Sequence, residues 1–414
     1  MLVDLTPGVD LVGLSRSLAG RSRAERRARV VAALESRARR SQDALAPFLE
    51  DLRRRGLVRS WRGFAVVNRL LVEATPEGIE ALSRRPEVAA VVPETETPVP
   101  AFAGQPEERP ERASWGVEAV GAPEAWRRGL DGAGVVVGII DSGATAVHEQ
   151  LAPGFRGGGR SWLDPRGRTL APEDTLFGHG TGVLSLAVGR NAAGFTLGVA
   201  PGALWIACAG LPEGRYNNVL VTVCADWMLR TGQPDVLVIA WLLPAPGCDR
   251  SLQGVVDAWR AAEILPVFAA GNRGPAAGTD RSPANYSGVL SVGGVDREGR
   301  PFAAMSRGPS SCGGAVFPAL VAPAEDLPAA FPLSASSYVR ARGTSYAAGL
   351  AAGAAAILRQ SAPEASVAEL EDALTGGAAD LGAPGPDGES GYGRLDLPGA
   401  LARLASRRPT MTRP

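Results

Sequence analysis

The chain contains no lysine: all 43 of its basic residues are arginine, and 43 acidic residues balance them. With zero net charge there is no excess positive field to hold nucleic acid or an anionic bilayer, and neither is expected as a partner. No apolar run approaches the ~20 residues of a membrane span. The opening stretch MLVDLTPGVDLVGLSRSLAG carries Asp4 and Asp10 and makes a poor signal peptide, which favours the cytoplasm. Histidine is scarce, at two residues, and Cys208, Cys224, Cys248 and Cys312 lack metal-ligand spacing. A zinc centre is therefore not expected. The default expectation is four buried free thiols, with a Cys248–Cys312 bridge as the alternative if the protein is exported.

What is present is a long chain with a large apolar share, 45% of 414 residues, which suits two domains better than one. Residues 21–56 are rich in Arg and Glu with apolar residues at helical spacing (Val31, Leu34, Leu45, Phe48, Leu52), the pattern of a long surface-lying amphipathic helix. Two strand-like runs follow in 57–75, then a short helix opened by Thr75-Pro76, then a strand over 88–94. Residues 1–96 are thus expected to form a small α+β domain. The stretch 95–114 is rich in Pro, Glu and Thr with little to bury, so residues 97–114 are expected to be an exposed linker.

A different texture begins at Trp115. Short continuous apolar runs (134–141, 203–209, 235–241, 265–271 and 288–294) alternate with helical patterns such as VLVTVCADWMLRTG and LQGVVDAWRAAEI. That alternation predicts an α/β domain over 115–403, a doubly wound, mostly parallel sheet with helices on both faces. Residues 404–414 are expected to be a disordered tail.

In such a sheet, reactive groups gather at the carboxyl ends of strands and at the helix starts that follow. Asp141 ends the first run, His179 sits in FGHGTGVLSLAVG, and Ser345 opens the alanine-rich RGTSYAAGLAAGAAAIL. Singly, each has an ordinary explanation: an Asx turn, a turn histidine, a helix cap. Together, in the order Asp, His, Ser, they supply an orienting acid, a base that is neutral near pH 7, and a nucleophile. Of the two histidines, His179 is preferred to His148 because its glycine neighbours let a substrate backbone approach.

The blocks IIDSGATAVHEQL, GHGTGV and GTSYAAG resemble the signature blocks of the subtilisin-like serine peptidases (the S8 family) in sequence and order. GVAPGA, FAAGNRGP, SPANY, SRGPS and GYGRLDLPGAL extend the resemblance over about 115–401, and DAWRAAEILPVFAAGNRGP is most like the bacillopeptidase F branch. The resemblance implies a serine endopeptidase of subtilisin-like fold with Ser345 as nucleophile, His179 as base and Asp141 orienting it. Asn272 would be an oxyanion donor, and Ala240, Trp241, Leu242, Ala270 and Gly271 would bind substrate. It further implies that residues 1–96 are a ferredoxin-like inhibitory propeptide, a partner of the enzyme beside its peptide substrates, and that self-cleavage falls between about residues 94 and 114. Propeptides of this kind belong to exported enzymes, which weighs against the cytoplasm. No cofactor is implied. Calcium is common in the family, but the loop GRNAAGFTLGVAP has no acidic residue and no ion site can be assigned.

The chain also departs from the family. Tyr346, Gly349 and Leu350 stand where Met, Pro and His are usual, and Gly182 replaces a second histidine. Where the family reads Asn-x-Ser-x-Gly, this chain has Val238, Ala240 and Leu242. These changes are expected to make specificity unusual. They leave two further readings beside a general endopeptidase: a narrow processing peptidase inside the cell, and a non-catalytic peptide-binding protein on the same scaffold.

Overall fold

The computed structural model describes residues 1–6, 8–99, 104–110, 114–190, 195–382 and 384–407. Its N-terminal unit runs β1 (Leu2–Leu5), α1 (Leu11–Ser17), α2 (Arg23–Arg54), β2 (Val58–Phe64), β3 (Arg69–Ala74), α3 (Pro76–Ser83) and β4 (Val88–Val92). The strands form an antiparallel sheet in the order β2-β3-β1-β4, a split βαβ arrangement of ferredoxin-like topology. Strand β1 was not anticipated, because its four residues are too few to show a period. Helix α2 starts at a capping box, Ser22 with Glu25, and buries Val30, Leu34, Ala38, Ser41, Leu45, Leu49 and Leu52 at three- and four-residue spacing. Leu45, Leu49 and Leu52 pack on the small sheet, whereas Val30 and Leu34 join the core of the larger domain. The helix thus ties the two units together rather than merely lying on a surface.

The stretch expected to be an exposed linker contains two short strands, β5 (Glu96–Pro98) and β6 (Gln105–Glu107). Three-residue pairing needs only backbone N–H and C=O groups, so a polar, proline-containing sequence can supply it. Residues 100–103 and 111–113 of this stretch lie outside the described residues.

The larger domain continues with α4 (Trp115–Ala119), α5 (Ala122–Arg127), β7 (Val136–Asp141), β8 (Trp162–Leu163), α6 (His179–Val188), β9 (Leu204–Ala209), β10 (Arg215–Asn217) and α7 (Asn218–Trp227). It goes on through β11 (Val236–Ile239), α8 (Gln253–Ala261), β12 (Leu265–Ala269), β13 (Leu290–Val295), β14 (Leu320–Pro323), β15 (Leu327–Phe331) and β16 (Ser337–Ala341). Helices α9 (Thr344–Ser361), α10 (Val367–Gly376) and α11 (Leu397–Ser406) close it. The five anticipated apolar runs become β7, β9, β11, β12 and β13 of a seven-stranded parallel sheet, in the order β14-β13-β12-β11-β7-β9-β8. β11, β12 and β13 are buried along their whole length, as strands covered on both faces must be. Helix α11 extends to Ser406, three residues into the expected tail, and residues 408–414 lie outside the described residues.

Helix α9 is buried from Thr344 to Arg359. Its small residues let it lie backbone-close against α6: a Cβ on Gly349 would come within 2.5 Å of the Val183 carbonyl oxygen, and one on Gly353 within 2.6 Å of that of Ala187. Gly349 is therefore a packing residue, and Leu350, fully buried, is a core residue. Neither marks specificity.

The expectation of free thiols is overturned. Cys208 on β9 is bonded to Cys224 on α7, and Cys248 to Cys312, with Cα atoms 5.7 and 4.9 Å apart. The β9-to-α7 connection returns over the sheet and brings Cys224 beside its partner, a proximity that linear spacing does not encode. Thiol titration of the protein unfolded without reductant is accordingly expected to find no reactive cysteine, against four after reduction.

Candidate active site

Asp141 is the last residue of β7 and sits near the middle of the sheet, almost wholly buried. Its Oδ1 accepts the Ser142 N–H at 2.7 Å and lies 2.8 Å from His179 Nδ1. A carboxylate can only accept, so Nδ1 carries the proton and Nε2 of a neutral ring is left as an acceptor. Burial pushes the His179 imidazole down, but the charge and hydrogen bond of Asp141, helped by the charge of Asp174, more than offset this and raise it. His179 is the first residue of α6, and its ring lies 5.9 Å from that of Phe177 and 6.0 Å from that of Tyr346.

Ser345 does not cap its helix. It is the second residue of α9, and its Oγ donates to the Ala240 carbonyl at 3.2 Å. Among the described residues no hydrogen bond joins Ser345 to His179. Asn272 fills the capping role instead: its Oδ1 accepts from Thr344 N at 3.0 Å and from Thr344 Oγ1 at 3.1 Å. Since a backbone N–H can only donate, these bonds fix the amide flip and leave Nδ2 facing away from Thr344. Thr344 Oγ1 in turn accepts the Gly271 N–H at 3.0 Å. The Asn272 amide and the start of the Ser345 helix are thereby locked to each other.

The two helix starts, one strand end and one oriented amide make a site suited to acyl transfer. A model of the subtilase family matches residues 132–393, well over half of the sequence. The chain belongs to the subtilase family. Among curated relatives of this subtilase, Bacillopeptidase F of Bacillus subtilis (strain 168) is 30% identical over 393 residues, 86% of this chain but 27% of that protein. The chain thus spans about a quarter of that relative's length. An alkaline protease of Alkalihalobacillus alcalophilus is 30% identical over 319 residues, covering 77% of this chain and 76% of the relative. Subtilisin Savinase of Lederbergia lenta is 32% identical over 268 residues, covering 65% and 92%. Like them by family, the subtilase described here is a subtilisin-like serine peptidase.

The residues expected to bind substrate divide in two. Leu242 and Gly271 meet: a Cβ on Gly271 would fall 2.4 Å from Leu242 Cδ1 and 2.8 Å from Ser306 Oγ, at φ +107°. Trp241 and Ala270 turn their side chains to the core. The Trp241 indole donates to the Ile140 carbonyl at 2.7 Å and packs on Tyr216, while Ala270 pairs its N–H with Val292. These two, like Ala240 with its carbonyl, can offer substrate only backbone. Tyr346 is buried, and its ring fills the space a side chain on Gly182 would use, with Cε1 3.1 Å from that Cβ position.

Sequence reasoning missed three participants. Thr344 stands out in the sequence only as part of the GTSYAAG block, and Asp174 has no local pattern around it. Strand β10 pairs antiparallel with β5 beside the site, Tyr216 opposite Thr97. Only the Arg-Tyr-Asn-Asn run before an apolar helix pattern could have hinted at it.

No helix among the described residues is long and apolar enough to cross a membrane. Nor do three or more His, Cys, Asp or Glu among them group as metal ligands. Residues 191–194 of the loop considered for calcium lie outside the described residues.

Replacing Gly271 by Ala combines a left-handed backbone with two close contacts, so a loss of about 1–3 kcal/mol is expected in chemical denaturation. Adding Leu242→Ala should return only the share due to the Leu242 contact, since the contact with Ser306 Oγ and the backbone conformation remain. Full recovery in the double variant would show that the backbone conformation costs nothing.

Proposed function

We propose that this subtilase is a serine endopeptidase that acts through Ser345, His179 and Asp141 and is made as a self-inhibited proenzyme. The observation that carries the reading is the Asp141–His179 bond at 2.8 Å, which leaves Nε2 as the proton acceptor of a buried base. In the first step Ser345 Oγ leaves the Ala240 carbonyl, gives its proton to His179 Nε2 and attacks the substrate carbonyl. Asp141 keeps the imidazole in the right tautomer and stabilises the imidazolium. The Asn272 amide and the Ser345 N–H, which has no partner among the described residues, stabilise the oxyanion. His179 then protonates the leaving amine, and water hydrolyses the acyl-enzyme by the same steps in reverse.

The proenzyme reading is supported by the way the N-terminal unit and its tail sit. Asp226 on α7 accepts the N–H groups of Ala65 and Val66 at 2.8 and 3.0 Å. Beyond β4 the chain lies along β10 as a peptide ligand would: Asn218 N donates to the Thr95 carbonyl at 3.3 Å and Val99 N to that of Gly214 at 2.8 Å. Extended backbone pairing of this kind recognises a peptide with little regard to its sequence. With β5 held along β10, self-cleavage after Val99, within the 94–114 window, is the version of this reading that the pairing favours; residues 100–103 are outside the described residues. Leu242 leaning over Gly271 favours a narrow substrate range over a broad one. The two disulfides suit an oxidising compartment better than the cytoplasm.

A fluorophosphonate is expected to label the wild type once the N-terminal unit has been removed, and Ser345→Ala to remain unlabelled. N-terminal sequencing after incubation should give a new terminus between residues 100 and 104 in the wild type, while Ser345→Ala stays intact. A folded, unlabelled wild type would instead favour a non-catalytic peptide binder. Asn272→Ala is expected to cut kcat by about 100- to 1,000-fold, the loss that removing one such donor brings in subtilisin itself.

Because His179 must be neutral to accept the serine proton and its imidazole is raised, activity should fall as pH drops through a midpoint above that of an ordinary histidine. A kcat/KM profile with a midpoint at or below the ordinary value would count against Asp141 as its partner.

A further inference from the structure

Asp174 lies five residues before His179, in the loop that leads into α6, and no arginine pairs with it among the described residues. Its Oδ2 accepts two bonds from one residue of the first turn of that helix, Thr181 N at 2.9 Å and Thr181 Oγ1 at 2.7 Å. Thr181 Oγ1 also accepts the Thr145 N–H at 3.2 Å, and the Glu173 carbonyl accepts that of Ala144 at 3.2 Å. Loop, helix start and the turn after β7 are therefore stitched together around this carboxylate. Ser142 completes the stitching, since its Oγ accepts the Gly180 N–H at 3.0 Å while its own N–H goes to Asp141.

Helix capping alone would not need the rest of the arrangement. The residue is half-buried, but its second oxygen, Oδ1, is fully buried and has no partner among the described residues. An acid in such a place is costly to ionise. Burial above all, with the charge of Asp141 adding to it, pushes Asp174 up to about 6 against the pull of its bonds to Thr181. An asparagine would cap the helix as well without that cost.

We propose that Asp174 is a positioning residue of this site: it fixes the first turn of α6, and so the His179 imidazole, and places a second negative charge behind it. The proposal rests on reading His179 as the general base. The charge of Asp141 alone already favours the imidazolium, and Asp174 adds to that from the side of the loop. The groups facing the imidazole are Asp141 from β7, Asp174 from the loop, and Tyr346 from α9, whose phenol is raised by burial and by both carboxylates and stays neutral. Strand β15, also packed on α6, presents Leu327–Phe331 with no charged residue. Both carboxylates thus bear on one imidazole, Asp141 through a direct bond and Asp174 through its charge alone. Above about pH 6 Asp174 is ionised and supports the charged ring; below it the group takes up a proton and that support is withdrawn.

Asp174→Asn keeps an oxygen for Thr181 and removes the charge, with an amide NH2 in place of the buried Oδ1. By NMR, the His179 Nδ1 proton in this variant should titrate about one pH unit lower than in the wild type, with the acid limb of kcat/KM moving down equally. A merely structural role would lower the melting temperature and leave both midpoints in place, which would overturn the proposal. The NMR midpoint does not require turnover, so it can fail or succeed apart from the peptidase reading, which fluorophosphonate labelling of wild type tests. Should the variant not fold, the wild type carries the test. Its His179 resonance should then show two inflections between pH 4 and 8, and a single one would overturn the proposal.

Discussion

The site depends on one close contact between two helices. Helix α6 carries His179 at its first residue and α9 carries Ser345 at its second, and the two lie so near that Gly349 and Gly353 touch the carbonyls of Val183 and Ala187. Two helices in backbone contact cannot slide without collision, so the relative position of His179 and Ser345 is set by packing rather than by the two side chains themselves. The alanine run serves the same end, since larger side chains would lift α9 off the sheet and off α6 together. Polar bonds then trim the geometry at the helix starts: Asn272 with Thr344 on one, Asp174 with Thr181 on the other.

Much of this was legible in the sequence because it is written in local terms. Continuous apolar runs bounded by glycine gave five of the seven strands of the main sheet, and short blocks carry Asp141, His179, Ser345 and Asn272, which the fold brings near one another. What was not legible depends on distances between segments far apart in the chain. Cys208 and Cys224 were read as thiols because nothing in their spacing says that β9 and α7 meet. Gly349 and Leu350 were assigned to specificity because they differ from the family, whereas their surroundings are helix and core. Asp174 was passed over as one more acidic loop residue. Strands β5 and β10 were missed since backbone pairing leaves no side-chain pattern.

The attachment of the N-terminal unit is more electrostatic than a hydrophobic interface would require. Arg26 pairs with Glu263 at 2.8 Å, Arg23 with Asp235, and Arg27 donates to the carbonyls of Gln233 and Pro234 at 3.0 and 2.8 Å. Asp235 also accepts the Val136 N–H, and a Glu263 oxygen takes that of Val367, so the charges holding α2 also brace the start of β7 and of α10. Guanidinium groups suit this task because each spreads several donors over backbone and carboxylate acceptors at once. Removing α2 would leave those carboxylates without their cationic partners. The large domain and the N-terminal unit are thus matched by charge as well as by shape.

The short pairing of β5 with β10 has a kinetic meaning beyond its three residues. A segment joined to its own binding groove acts at an effective concentration in the millimolar range for a short flexible tether, however weak its contacts. A free peptide competing for β10 meets that concentration first, and the competition is independent of enzyme dilution. Only when the tether is severed and the N-terminal unit has also left the large domain does the order of the reaction change: occupancy of β10 by the same tail then depends on how much of it is present, and falls as the solution is diluted. Three backbone pairs that would be negligible between separate molecules can thus persist for as long as β5 is held beside β10, whether by the chain itself or by the docked N-terminal unit.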